Sequence, residues 1–359
     1  MREMDTVELT KKLVEINSVT GSEGEVCEFV KNYLEENGIK VEKNQVDDKR
    51  YNIIARTGSG EKKLILCSHF DTVPPHIPLS GKDGKLYGRG TCDAKCHIAS
   101  SLNILIELSK TKLNGELIFV GVTAEEVGGD DGAKKVVEEL GLKADAAIIL
   151  EPMDLRLAIA QVGVIWADLE MTGKEMHVTQ MNDEANVVGE MAKLVAKLHE
   201  EFPKKFNQDS LVGKPQFQVT VFKGGETTNV LAGKCIAKLD CRHTPNETKE
   251  QIYEFIDECI NLSNLKVKPE VKETAYRPVL ETNKENDIVK TFTKIKPDIE
   301  LFGYEAVTDA NYFSDVGIPS VIFGCGKMDV AHTRDEHVVI DDIKKEEEIL
   351  KKVCEDFLN

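Results

Sequence analysis

No apolar run in this sequence approaches the ~20 residues that cross a bilayer, which excludes a helical membrane anchor. The opening residues, Met1-Arg2-Glu3-Met4-Asp5, are charged and mixed, so no secretory signal is read there and a cytoplasmic protein is expected. Positive charge is scarce: 46 Lys and Arg stand against 63 Asp and Glu, a net charge of −17. Without a basic face the chain is not expected to hold nucleic acid. No Cys-x-x-Cys pair occurs, and the nine cysteines are an odd number, so reduced thiols are expected rather than a disulfide framework. The glycine pair Gly88 and Gly90 lacks the third glycine of a dinucleotide loop, and Asp93 follows where phosphate would lie. No internal repeat or low-complexity segment is present.

What is present is a set of short apolar runs that end in His, Asp or Glu. With 359 residues, 41% hydrophobic and 30% charged, two domains are expected. Residues 64–69 are apolar without alternation and are stopped by Thr72-Val73-Pro74-Pro75, the pattern of a buried parallel strand. His69 and Asp71, two apart, would share a face at its carboxyl end, where open α/β sheets place ligands. A carboxylate beside a histidine can hold one ring nitrogen and leave the other for a metal. Further apolar runs at 116–123, 145–150 and 318–323 end near Glu125-Glu126, Glu151 and His332. The acids at 125–126 read equally well as the first turn of a helix over 132–140. Between the runs, helical periodicity is read at 5–37, broken at 21–24, and at 98–108 and 341–358.

From about residue 165 the pattern changes to alternating strands at 164–172, 216–223 and 234–241, with helices at 186–200 and 248–262. The expected architecture is therefore α/β: a mixed, mostly parallel sheet with helices on both faces, interrupted by an α+β insertion. The boundaries expected are 1–164 and 275–359 for the catalytic domain and 165–274 for the insertion. Cys67, Cys92, Cys96 and Cys325 lie near the proposed site in sequence. They are read as small buried hydrophobes in preference to zinc thiolates. A thiol enzyme using Cys92 or Cys96 with His97 is a rival to a metal enzyme.

Five motifs together resemble the cocatalytic-zinc amidohydrolases, the family of acetylornithine deacetylase, succinyl-diaminopimelate desuccinylase, aminoacylase and carboxypeptidases of the G type. They are His-x-Asp-Thr-Val-Pro at 69–74, Gly-Arg-Gly-Thr-Cys-Asp-Ala-Lys at 88–95, Glu-Glu-Val-Gly at 125–128, Glu-Pro at 151–152 and His-Thr-Arg-Asp-Glu at 332–336. They run in family order. The resemblance implies a zinc-exopeptidase-like fold and two divalent ions, zinc first, with cobalt or manganese as substitutes. It implies that His69, Asp93 and Glu151 hold one ion and that Asp93, Glu126 and His332 hold the other. Glu125 would be the general base, Asp71 would orient His69, and a cis peptide would follow Asp93.

The resemblance further implies a homodimer through the insertion, acting as lid, with His177 crossing to the partner's site as oxyanion donor. Asn229 and Arg242 would bind a free carboxylate on a small-molecule substrate, and Arg277 is a weaker candidate for that task. Around His177 the family pattern is broken at Met181, Glu184 and Val187, while Asn186 is kept. The loop 303–311 would meet the acyl or side-chain end of the substrate, where Glu305 and Asp309 would favour a cationic side chain. The expected reaction is hydrolysis of an N-acyl amino acid, with a dipeptidase or carboxypeptidase using the same site as the alternative.

Overall fold

Four of the apolar runs become neighbouring strands. In the computed structural model, which describes residues 4–180 and 183–359, Glu116–Val122, Lys63–His69, Ala146–Leu150 and Ser320–Phe323 lie side by side in that order. All three pairings among them are parallel, with Leu64 opposite Leu117 and Ala146, and Ser320 opposite Ala147. Antiparallel strands flank them: Val41–Gln45 and Tyr51–Gly58 on one side, Leu157–Gln161 on the other. The whole is a nine-stranded mixed sheet with a parallel centre.

The absence of alternation in these runs has a direct cause. Leu64 and Leu66 enter a core with Leu117, Phe119, Leu102, Leu105, Val353 and Phe357, contributed by strands and by the helices Lys95–Ser109 and Ile340–Leu358. Their alternates Ile65 and Cys67 point the other way and are equally buried. A strand covered on both faces has no solvent side to mark with polar residues. The expected helix over 132–140 is shorter, Lys135–Leu140, because Gly132 leaves helical geometry where it crosses the Thr123 carbonyl. Glu125–Val127 is a separate short 3-10 turn, so the two acids are not that helix's first turn.

The chain divides into two compact units. One comprises residues up to Ile159, Glu281–Phe302 and Thr308–Asn359; the other is Ala160–Leu280 with Gly303–Val307. The composition shift was read at 165–274. The division at its start falls inside the strand Leu157–Gln161, all of it buried, where composition does not change. The second unit holds a four-stranded antiparallel sheet in the order Gln216–Gly224, Lys234–His243, Gly163–Thr172, Glu270–Arg277. Helices Val187–Lys205 and Lys249–Leu262 bury Leu194, Leu198, Phe255 and Ile256 against it. Each helix starts on a side-chain cap. Asn186 accepts from the Val188 and Gly189 amides, and Thr248 and Gln251 form a reciprocal capping box. This gives Asn186 a local reason that holds without any site. Among the described residues no helix is long and apolar enough to cross a membrane.

Gly121 links the fold to the strand end that carries His69. A methyl group there would stand 2.2 Å from Cζ of the buried Phe70 ring. Gly121→Ala should therefore cost about 1–3 kcal/mol by overpacking. The check is the urea midpoint with its slope; an unchanged midpoint would show that Phe70 moves aside freely.

Candidate metal centre

Because the central strands are parallel, their carboxyl ends lie on one edge, and the loops beyond them start from neighbouring points. His69 closes its strand, and Glu151 follows Leu150 directly. Glu125 and Glu126 follow Val122 after Ala124, which adopts a left-handed conformation at φ 59°. His332, also left-handed at φ 62°, lies in the loop after Ser320–Phe323. Asp93 comes from the loop that leads into the Lys95–Ser109 helix, and the Asp93–Ala94 peptide is cis, as the family likeness implies.

Asp93 stands at the middle of the cluster. Its Oδ1 is 3.0 Å from Nε2 of His69, and its Oδ2 is 3.0 Å from Nε2 of His332. His332 Nε2 is also 3.1 Å from Glu126 Oε2, and His69 Nε2 is 3.9 Å from Glu151 Oε1. His69, Asp93 and Glu151 are buried, whereas 46% of the His332 side chain is exposed, so solvent reaches the cluster on the His332 side. Asp71 holds the frame. Its carbonyl oxygen is 2.9 Å from His69 Nδ1, nearer than its carboxylate at 3.5 Å. The carboxylate instead accepts from the Glu125 amide at 3.0 Å, the Glu126 amide at 3.1 Å and the Thr20 hydroxyl at 2.8 Å.

The electrostatics describe a site short of positive charge. Burial pushes the Glu125 carboxyl well above its usual range, and the charge of Glu151 adds to it. Burial likewise pushes Glu151 up to about 8, against the pull of His69. On Asp93 burial acts in the same sense, but hydrogen bonds with His332 and His69 outweigh it and hold the carboxyl below its range. His332 is raised to about 10 by hydrogen bonds with Asp93 and Glu126. Burial opposes the charge on His69, yet Asp71 and Asp93 raise its pKa well above the ordinary value. Both imidazoles are thus drawn toward their charged forms by carboxylates that a divalent cation would neutralise. The donor set of two imidazoles and three carboxylates suits zinc, and Glu126 Oε1 is buried with no hydrogen-bond partner. The residues fit a pair of divalent ions, and loading them would release the histidine protons.

Apart from Asp309, the remaining candidates lie in the second unit. His177 pairs with Val230 in a two-stranded ladder, which brings it beside Asn229: the Val178 amide donates to the Asn229 carbonyl at 3.0 Å. Both His177 and Asn229 are exposed, and His177 Nδ1 lies 2.8 Å from the Thr179 hydroxyl. Arg242 is half-buried, and its Nε and Nη2 are taken by Asp240 at 2.7 and 3.0 Å. The two are i and i+2 on one strand, a pairing that the sequence shows. Met181 lies outside the described residues. Glu305 falls in the second unit, while Asp309 falls in the first, where its charge adds to the raised pKa of Glu125 and Glu151.

Sequence reasoning gave Glu336 no role. It is buried and pins the loop that carries Asp93: its carboxylate accepts from the amides of Gly90 at 2.8 Å, Cys92 at 3.3 Å and Asp93 at 3.4 Å, and pairs with Arg89. The motif at 332–336 contained it, but nothing local marks an acid that bonds to a loop 243 or more residues away. The thiol alternative lacks access, because Cys92, Cys96 and His97 are all fully buried.

Comparison with known proteins gives the family and the fold. The sequence profile of Peptidase family M20/M25/M40 matches residues 65–356. A peptidase M20 domain-containing protein of Schizosaccharomyces pombe is 30% identical, across 92% of this chain and 80% of that protein. An acetylornithine deacetylase of Myxococcus xanthus is 28% identical, across 92% of each chain. A Bacillus subtilis protein, described as a dinuclear metal binding peptidase of the M20 family, superposes with a TM-score of 0.77 at 16% identity, covering 98% of this chain and 97% of that one.

If Asp71 sets the turn at 125–126, Asp71→Ala should weaken zinc affinity about 10–100-fold, the usual cost of losing an outer support. Competition against a chelator measures this. Unchanged affinity would show that the turn holds itself.

Proposed function

The chain belongs to Peptidase family M20/M25/M40, and on that premise we propose that it hydrolyses the amide bond of an N-acyl amino acid. The observation that carries the reading is Asp93, whose two oxygens each face a different histidine at 3.0 Å. One carboxylate so placed can serve two ions, His69 and Glu151 completing one set and Glu126 and His332 the other. When bound, a pair of zinc ions supplies Lewis acidity toward the scissile carbonyl and lowers the pKa of water.

The protein's own groups do the rest. Glu125 is held by its backbone to Asp71 and keeps its carboxyl out of the Asp93–histidine contacts. Burial raises its pKa, and a carboxylate in this place can take a proton from the attacking water and return it to the leaving nitrogen. His177, carried by the partner subunit of a dimer formed through the lid, donates to the developing oxyanion. Asn229 and Arg242 receive the substrate's carboxylate. With Nε and Nη2 on Asp240, Arg242 presents Nη1 to it. The deacetylase relative favours an acylated amino acid over a peptide.

A panel of N-acetyl amino acids, N-succinyl amino acids and dipeptides, with zinc or cobalt, tests the substrate class; faster cleavage of dipeptides than of any acylated amino acid would assign a peptidase instead. Glu125→Gln should lower kcat about 10²–10⁴-fold with metal content unchanged. Retained turnover would remove Glu125 as base. His177→Ala should be nearly inactive alone and regain activity when mixed with Glu125→Gln subunits. Absence of rescue would deny that the histidine acts across a dimer.

A further inference from the structure

A second group of metal-type donors lies apart from the hydrolytic cluster and takes no part in the reaction proposed above. Cys96 and His97 open the Lys95–Ser109 helix, Cys325 follows the Ser320–Phe323 strand, and Glu346 sits on the Ile340–Leu358 helix. All four side chains are fully buried. Cys96 Sγ is 3.8 Å from Cys325 Sγ and 3.6 Å from His97 Nδ1. Glu346 Oε2 is 2.8 Å from that same nitrogen and accepts from the Cys325 amide at 2.6 Å. Leu86, Ala331, Val338 and Ile343 close around the cysteines.

We propose that Cys96, His97, Cys325 and Glu346 form a closed, structural zinc site. For Cys96, His97 and Cys325 the spacing fits: tetrahedral zinc with Zn–S of about 2.3 Å and Zn–N of about 2.05 Å has edges of about 3.8 Å between sulfurs and about 3.6 Å between sulfur and nitrogen, while Glu346 completes the set by giving up its bond to His97 Nδ1. A disulfide would need about 2.05 Å between sulfurs, so the pair is not one. The donor set is two thiols, an imidazole and a carboxylate, with no solvent position left, which is the composition of a structural rather than a catalytic site.

Glu346 Oε1 is buried with no hydrogen-bond partner, so that carboxylate is not satisfied by hydrogen bonds of the protein alone. Its charges point the same way. On Cys96 burial raises the pKa, but the Cys325 thiol and His97 outweigh it and bring the thiol below its ordinary value. On Glu346 burial also raises the pKa, and the His97 charge outweighs it and lowers it. Burial opposes a charge on His97, but Cys96 and Glu346 raise its pKa, so the imidazole is the positive partner that a divalent ion would replace. On loading, the Cys325 thiol and the His97 imidazolium each lose a proton, and Zn2+ takes bonds to two sulfurs, one nitrogen and one oxygen. The ion would tie the helix that follows Asp93 to the strand end that leads to His332, and so hold the two sides of the hydrolytic cluster in register.

The test uses the full chain, stripped with a chelator and refilled with Co2+ or Zn2+. The hydrolytic cluster has no sulfur donor, so a thiolate-to-cobalt charge-transfer band in the near ultraviolet reports this site alone. The expected result is that band in the wild-type protein, its loss in Cys96→Ser and in Cys325→Ser, and its persistence in Asp93→Asn. Zinc-edge X-ray absorption of the wild type should show sulfur neighbours at about 2.3 Å, which needs no variant to fold. No charge-transfer band and no sulfur shell would overturn the proposal, as would a band that survives both cysteine substitutions. Loss of two titratable thiols in the wild type denatured in the presence of a chelator, showing a Cys96–Cys325 disulfide, would overturn it too. None of these outcomes depends on which amide the enzyme cleaves.

Discussion

The position of one carboxylate governs the centre. Asp93 meets His69 through one oxygen and His332 through the other, and each contact fixes a side of the site. A carboxylate is well suited to this, because its two oxygens point apart and share one charge. The partners come from residues 24 and 239 positions away, so neither the loop nor the strands can set the geometry alone. Glu336 makes it firm by collecting three amides of that loop, those of Gly90, Cys92 and Asp93, and the Arg89 guanidinium on one buried carboxylate.

The same crowding that builds the site makes it unstable in isolation. Burial pushes Glu125 and Glu151 toward their neutral forms, while the histidines are drawn toward their charged forms by the carboxylates around them. Opposing shifts of this kind, packed at one sheet edge, are the usual mark of a functional rather than a structural cluster. Divalent cations bound here would satisfy the acids and release the histidines to act as neutral ligands. Asp71 serves both sides, holding His69 through its carbonyl and the turn of Glu125 and Glu126 through its carboxylate.

Much of the first unit was legible because parallel strands buried on both faces leave a plain trace, an apolar run with a breaker. Lys63–His69, Glu116–Val122 and Ala146–Leu150 begin and end within two residues of where the runs were read. The helix at 132–140 was misread at its start because periodicity does not register a steric conflict between Gly132 and a distant carbonyl. Arg242 was assigned to substrate from the family pattern, although the Asp240 two residues before it shares its strand face and holds the guanidinium. Glu346 left a trace that was not used: it occupies the buried stripe of its helix, between Ile343 and Leu350, where an acid needs a partner.

By itself the sequence determined the strands, the order of the motifs and the kinds of donor available, because these follow from side-chain period and residue chemistry. Only the tertiary structure decided which donors meet. His97 and Glu346 are 249 residues apart and Arg89 and Glu336 are 247 apart, and no local rule relates such positions. The parallel sheet relates them, since it carries separate stretches of chain to one edge and leaves their loops to close over the same few cubic ångströms.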